Sequence, residues 1–252
     1  MAHTPGRFVW RERVTPDLER ARAFYSALLG WTWEEMGPAD APYLVAHAGG
    51  TPVGGLWQPP AGASMPSAWM SYVSVEDVDR TTAEARALGW TVGRPTTELP
   101  GVGRFSVLAD FAGAWLLPFR SETGDPSPDL GAPGTFCWES LVTSDVERAL
   151  AEYGTLLGWT RQASPNGAVP IFALDETPGS QIADVQQAGD RPPCWLTYVR
   201  AADAPALATR AATLGAHVLV PRIDIPEVGT IAFIADPGGA VLGLYQPASA
   251  GA

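Results

Sequence analysis

A chain of 252 residues with 46% hydrophobic and 17% charged side chains is long enough for one large domain or two ordinary ones around buried cores. Sixteen basic against 27 acidic residues leave a net charge of -11, which repels phosphate backbones and anionic membranes and argues against nucleic acid or a membrane as partner. No apolar run approaches the roughly 18–20 residues that span a bilayer, and Met1 to Trp10 lacks an apolar signal stretch, so a cytoplasmic protein is expected.

In chain order, Phe8 to Val14 has the aromatic and β-branched content of a strand. Thr15 then Pro16 reads as a helix start, a capping hydroxyl before a proline at the first helical position. Leu18, Ala21, Tyr25 and Leu28 recur at helical spacing until Gly30 closes the helix. Strand-like runs follow at Tyr43 to Ala48 and Val53 to Trp57. The glycine pair Gly49-Gly50 between them reads as a hairpin turn, and Gly54-Gly55 as a close backbone approach. A further strand, Trp69 to Val75, leads into a helix from Asp77 to Leu88 ended by Gly89. Short strands are then expected near Thr91 to Gly93, Arg104 to Ala109 and Ala114 to Phe119.

The second half repeats the first. Phe8 to Trp33 (FVWRERVTPDLERARAFYSALLGWTW) matches Phe136 to Arg161 (FCWESLVTSDVERALAEYGTLLGWTR), with Trp10 on Trp138 and Gly30 on Gly158. Later pairs, among them Trp69/Trp195, Tyr72/Tyr198, Gly103/Gly229 and Asp110/Asp236, extend the match to the last strand. Between the copies SETGDPSPDLGAPG, Ser121 to Gly134, is polar and rich in Pro and Gly, as a linker should be. The chain thus divides into domains at 1–120 and 135–252 joined by 121–134. Each holds two βαβββ modules, an α+β organisation with four modules in all.

The phrases W-x-E-x-x-T-x-D at Trp10 to Asp17, A-x-x-F-Y-x-x-L-L-G-W at Ala21 to Trp31 and V-G-R-F-x-V-L-x-D-x-x-G-A at Val102 to Ala114 recur in the second half from Trp138 and Val228. Together they resemble a two-domain branch of the vicinal oxygen chelate (glyoxalase/bleomycin-resistance/dioxygenase) superfamily, over nearly the whole chain. The resemblance implies paired βαβββ modules whose sheets curl into a cup for a small molecule, in many members around a divalent metal held by His, Gln or Glu. It places those ligands near Trp10, Trp57, Met70 and Leu117 in the first copy, and near Trp138, Gln186, Leu196 and Gly243 in the second. Indole and alkyl groups do not bind a hard cation. A register shifted by one residue would set Glu139 beside Gln186, two oxygen ligands without a histidine. The three histidines offer no pair: His3 lies on a terminal tail expected to be mobile, and His47 and His217 fall in different halves. Neither a metal nor another cofactor is therefore expected.

Period-two alternation puts Glu12 on the face that carries Trp10, and Tyr72 on the face that carries Met70. Glu12 is the candidate acid or base, because a carboxylate beside an indole can exchange protons without a metal, and Tyr72 is its candidate hydrogen-bonding partner. The opposing reading makes Glu12 a rim carboxylate paired with a neighbouring arginine. In the second copy Ser140 replaces Glu12, and Asp184 stands where the first copy has Gly54 or Gly55. Trp10, Trp57, Trp69, Met70, Leu117, Trp138, Ser140, Asp184 and Tyr198 complete the expected ligand-binding set, with aromatic walls suited to a flat ligand. Cys137 and Cys194 are expected as buried free thiols, and the absence of lysine excludes Schiff-base chemistry. The expected functions are a metal-independent lyase, isomerase or cyclase, a protein that sequesters a drug or metabolite, or a metal-dependent glyoxalase or dioxygenase. A monomer is expected, with the tandem halves standing in for a dimer.

Overall fold

The computed structural model describes residues 2–38, 42–60, 62–63, 65, 67–126, 131–165 and 167–248. Part of the expected linker, residues 127–130, lies outside them. The first copy runs β1 (Phe8–Val14), α1 (Leu18–Leu29), β2 (Thr32–Met36), β3 (Tyr43–Ala48), β4 (Thr51–Trp57), β5 (Ala68–Ser74), α2 (Val78–Ala87), β6 (Thr91–Leu99), β7 (Gly103–Ala109) and β8 (Trp115–Ser121). The second repeats it as β9 (Phe136–Thr143), α3 (Val146–Leu157), β10 (Thr160–Ala163), β11 (Pro170–Ala173), β12 (Gln181–Gln187), β13 (Cys194–Arg200), α4 (Ala204–Thr213), β14 (His217–Ile225), β15 (Gly229–Ala235) and β16 (Val241–Pro247). Each copy forms one 8-stranded sheet, in the orders β2-β3-β4-β1-β5-β8-β7-β6 and β10-β11-β12-β9-β13-β16-β15-β14. This is the α+β, four-module architecture expected from the sequence. No helix among the described residues is long and apolar enough to cross a membrane.

Local chemistry explains the elements and three departures from the sequence reading. The N-cap of α1 is Asp17, not Thr15: its carboxylate accepts from the Arg20 N–H at 3.0 Å. A shorter, ionised acceptor serves the free amides at the helix start better than a hydroxyl. Thr15 instead accepts from the Asp17 amide at 3.2 Å. Second, β2 was missed, because its exposed, acidic TWEEM carries no alternation. Third, β6 runs through Pro95 to Leu99 as an edge strand, where a proline loses no ladder hydrogen bond. Gly49 and Gly50, with φ of 57° and 85°, make the expected hairpin turn.

By compactness the chain divides into two units. The first comprises Met1–Val9, Met70–Pro128 and Glu139–Trp195, the second Trp10–Trp69, Asp129–Trp138 and Leu196–Ala252. The second unit's core gathers Leu18, Tyr25, Leu28 and Trp31 of the α1 region against Leu44, Ala46, Leu56, Trp69 and Leu244. The first unit's core gathers Ala149, Tyr153, Leu156 and Trp159 of the α3 region against Val73, Leu141, Phe172, Val185 and Trp195.

Each core is pinned by an aspartate at the turn before the last strand of its module. In the first unit Asp110 accepts from the amides of Ala112, Gly113 and Ala114 at 2.8–2.9 Å and from the Tyr153 hydroxyl at 3.0 Å. Tyr153 in turn accepts from the Trp195 indole at 3.0 Å. In the second unit Asp236 accepts from Gly238 and Ala240 amides and from Tyr25, which accepts from Trp69. Asp236 also faces Arg13, whose Nε and Nη2 lie 2.7 and 2.9 Å from its two carboxylate oxygens. Arg13 is fully buried; its counterpart in the first unit is Leu141. Burial first, and the facing carboxylate second, raise both tyrosines far above their ordinary value, so each remains a phenol and a donor.

Candidate functional site

Side chains that point towards the helices build the cores. On β1 the helix-facing set includes Arg13, and alternation sends Trp10 and Glu12 the other way. Register fixes their neighbours: Glu12 stands opposite Gly55 on β4, Gly55 opposite Val45 on β3, and Val45 opposite Glu34 on β2. One row beyond, Val14, Trp57 and Tyr43 face each other.

Tyr43 connects these rows. Its ring lies across Gly55, where a Cβ would stand 2.0 Å from the phenol oxygen. That hydroxyl accepts from the Trp10 indole N–H at 2.8 Å and is hydrogen-bonded to Glu12. Burial, then the Glu12 charge, push the Tyr43 phenol well above its ordinary value, with the Trp10 N–H opposing. Tyr43 therefore keeps its proton and offers it to Glu12. His47, placed alone by the sequence reading, has its Nε2 3.6 Å from Glu34 in the same unit.

The matching rows of the first unit keep the backbone and change the chemistry. Ser140 stands opposite Asp184, Asp184 opposite Ile171, and Ile171 opposite Gln162; Val142 faces Gln186 in the next row. Position by position, Glu12 becomes Ser140, Gly55 becomes Asp184, Trp57 becomes Gln186 and Tyr43 becomes Val169. The Ser140 hydroxyl donates to one oxygen of Asp184, and the Gln186 amide donates to the other at 2.7 Å. Ser140 is fully buried and Asp184 is 9% exposed.

The other expected site residues distribute as follows. Trp69 and Trp195 belong to the helix-side cores, where their indoles donate to Tyr25 and Tyr153; being odd-numbered neighbours of Met70 and Leu196, they point the other way along the strand. Tyr72, in the first unit, faces Leu117 across β5 and β8 and packs its ring 6.1 and 5.8 Å from Phe105 and Phe119. Within its own unit Glu12 is hydrogen-bonded to Tyr43. Met70 and Leu117 are buried. Tyr198 lies across Gly243, where a Cβ would meet its ring at 2.3 Å, and stacks edge-on with Phe233. Trp57 and Trp138 are half-buried. Tyr43 was missed because nothing in a lone strand-end tyrosine shows where its ring will lean; the signal was Gly55, one row away on the facing strand.

Three smaller expectations change. His3 is held, not mobile: its ring nitrogen lies 3.3 Å from the buried Asp125, which also accepts from the Thr4 amide and the Ser74 hydroxyl. Glu139 opposes Ala183 and not Gln186; it is fully buried and accepts from the Ser71 hydroxyl at 3.0 Å. The cysteines are free, as expected, but only partly buried, and burial raises the Cys194 thiol.

The residues at the metal positions do not fit a divalent cation. Trp10 uses its only polar hydrogen on Tyr43, Gln186 bonds Asp184, and a tyrosine ring covers Gly243. The rest of the set is indole, thioether and alkyl. Among the described residues no three His, Cys, Asp or Glu side chains group so as to hold an ion.

The fold is two copies of paired βαβββ modules. Residues 7–117, most of the first copy, match the family model of the Glyoxalase/Bleomycin resistance protein/Dioxygenase superfamily. It is 28% identical to "Putative glyoxylase CFP32" of Mycobacterium tuberculosis over 95% of this chain and 94% of that protein. It is 27% identical to "Anthracycline biosynthesis protein DnrV" of Streptomyces peucetius, over 98% and 97% of the two chains. Among solved structures, the Mn(II)-bound glyoxalase from Novosphingobium aromaticivorans shares the fold with a TM-score of 0.65 at 16% identity, covering 97% of this chain and 82% of that one.

Proposed function

We propose that this protein binds an aromatic or polyketide-like small molecule on the Trp10–Glu12–Tyr43 face and moves a proton on it without a metal, as an isomerase, lyase or cyclase. The observation that carries this reading is the hydrogen-bonded chain from Trp10 through Tyr43 to Glu12, built where metal-using members carry a ligand. Glu12 is the base: the C–H bond beside a ligand carbonyl breaks, the proton passes to the Glu12 carboxylate, and the electron pair moves to the carbonyl oxygen. Return of the proton to another carbon isomerises the ligand; expulsion of a neighbouring leaving group makes the step an elimination. Tyr43 is a positioning residue that keeps the carboxylate aimed. A positioned base contributes about 10²–10⁴ in rate. The name of the Streptomyces relative supports a fused aromatic ligand, and Trp10, Tyr43 and Trp57 supply aromatic surface on this face.

The test is deuterium uptake from D2O into 1-tetralone, a fused aryl ketone, followed by proton NMR. The wild-type protein accelerates uptake, and Glu12→Gln lowers the rate at least about 10²-fold while ligand affinity stays. Tight binding without any acceleration by the wild type replaces the enzyme with the sequestering protein, which the same aromatic surface would serve. Elemental analysis completes the test: a stoichiometric metal on which the exchange depends overturns the metal-free reading.

A further inference from the structure

We propose that the cleft between α1 and α4, on the helix side of the second unit, binds a small aliphatic monocarboxylate through Arg200. The cleft has a volume of about 330 Å³ and is lined by Leu28 and Leu29 of α1, Ala206 and Leu207 of α4, Gly134, and Arg200 at the end of β13. That volume lies at the small end of the range for ligand pockets, about 300–1,000 Å³. Arg200 is half-buried, with its Cζ 5.9 Å from the ring centroid of Tyr245. Its Nε is buried and has no hydrogen-bond partner among the described residues. A buried N–H without an acceptor is rare in native structures and marks a place where a bound group would be stabilised.

The first unit shows which chemistry the same place accepts. Arg200 stands where that unit has Ser74, and the backbone of each makes the same pair of bonds. Gly134 N–H donates to the Arg200 carbonyl and Arg200 N–H to that of Thr135; Gly6 N–H donates to the Ser74 carbonyl and Ser74 N–H to that of Arg7, all at 2.8 Å. In the first unit the chain itself brings a carboxylate there: Asp125 accepts from the Ser74 hydroxyl at 3.0 Å and from the Thr4 amide at 2.6 Å. In the second copy the repeat puts Gly251 in the place of Asp125, outside the described residues and with no side chain to ionise. A longer, cationic donor thus replaces the serine where the internal acid is lost. The other charges of the cleft set the ligand's own. Asp203 caps α4, accepting from the Ala206 amide at 2.9 Å, and Arg210 donates to the Ala27 carbonyl. Two guanidinium groups against one carboxylate leave a single positive charge, which suits one carboxylate and not a doubly charged anion. The planar guanidinium offers parallel N–H groups to the two oxygens, and the leucines cover the alkyl portion. The net charge of -11 disfavours anions at long range, so the preference is local to this contact.

Isothermal titration of the intact protein with hexanoate, 1-hexanol and hexylamine, alongside NMR of the arginine Nε–H signals, tests the assignment. Hexanoate binds at least about tenfold tighter than either of the others and moves the Arg200 Nε–H signal. Arg200→Gln removes the preference. Ala206→Trp, at an exposed position on the cleft wall, removes it with Arg200 still in place, and gives the answer if Arg200→Gln does not fold. Glu12→Gln leaves the preference unchanged, so this site and the proton-transfer reading fail separately. The proposal is overturned if hexanoate shows no preference, if either cleft variant keeps it in a folded protein, or if inorganic phosphate binds as tightly as hexanoate. It is equally overturned if the preference emerges only once residues 249–252 are removed, since the chain would then fill the cleft itself.

Discussion

The first module of the second unit and its counterpart in the first unit share a strand ladder, and in the same row each sets a carboxylate against a neighbouring strand, but from different strands. In the second unit the acid is Glu12 on β1 and its partner position on β4 is Gly55. In the first unit the acid is Asp184 on β12 and its partner position on β9 is Ser140. Once the acid crosses over, its hydrogen-bonding company changes from a phenol backed by an indole to a hydroxyl and an amide. A duplicated backbone thus preserves where polar groups meet, while single substitutions decide which strand supplies them and what they bind. The aspartate nodes on the helix side diverge in the same way: Asp236 has a buried guanidinium, and Asp110 accepts from three amides and a phenol.

The largest effect is expected from writing one node into the other. Arg13→Leu copies Leu141, but it strands a carboxylate whose surroundings have been built around a cation. Breaking a buried pair from one side costs about 3–5 kcal/mol, measurable as a lowered urea midpoint. A change under about 1 kcal/mol would mean that the neutral donors suffice for Asp236 as they do for Asp110.

Next comes Gly55→Ala, whose Cβ would occupy the position of the Tyr43 hydroxyl. Forcing the ring aside is expected to destabilise by about 1–3 kcal/mol and to reduce proton exchange as far as Tyr43→Phe does. Stability lost with exchange intact would separate Tyr43 from the positioning of Glu12.

The smallest effect is a slope with pH. Burial, the largest influence, raises Asp110 above the usual carboxylate value, with the amides of Ala114 and its neighbours and Tyr153 pulling it back. Below the usual value both folded and unfolded chains hold the proton. Between the usual and the raised value the unfolded chain releases it first, so stability falls as pH rises through that window and then levels. Asp110→Asn should flatten this component in urea melts between about pH 4 and 6, an interval of about two units that begins at the ordinary carboxylate value. A slope that persists in the variant would place its origin in another carboxylate.

Some of this was legible in the chain alone. The repeat, the two βαβββ patterns per copy and the identity of the residues at the metal positions follow from sequence, because period and spacing are local properties of a strand or a helix. Glu12 and Trp10 share a face for the same reason. Tertiary packing decided the rest. Register across strands set Asp184 beside Ser140 and not Glu139 beside Gln186, and the odd parity of Trp69 and Trp195 turned two expected ligand walls into core. Tyr43 reached Glu12 because Gly55 left room for its ring, and Arg13 became buried because Asp236, 223 residues away in sequence, stood ready to pair with it. Long-range contacts of this kind depend on how separate strands meet, which no local pattern of residues records.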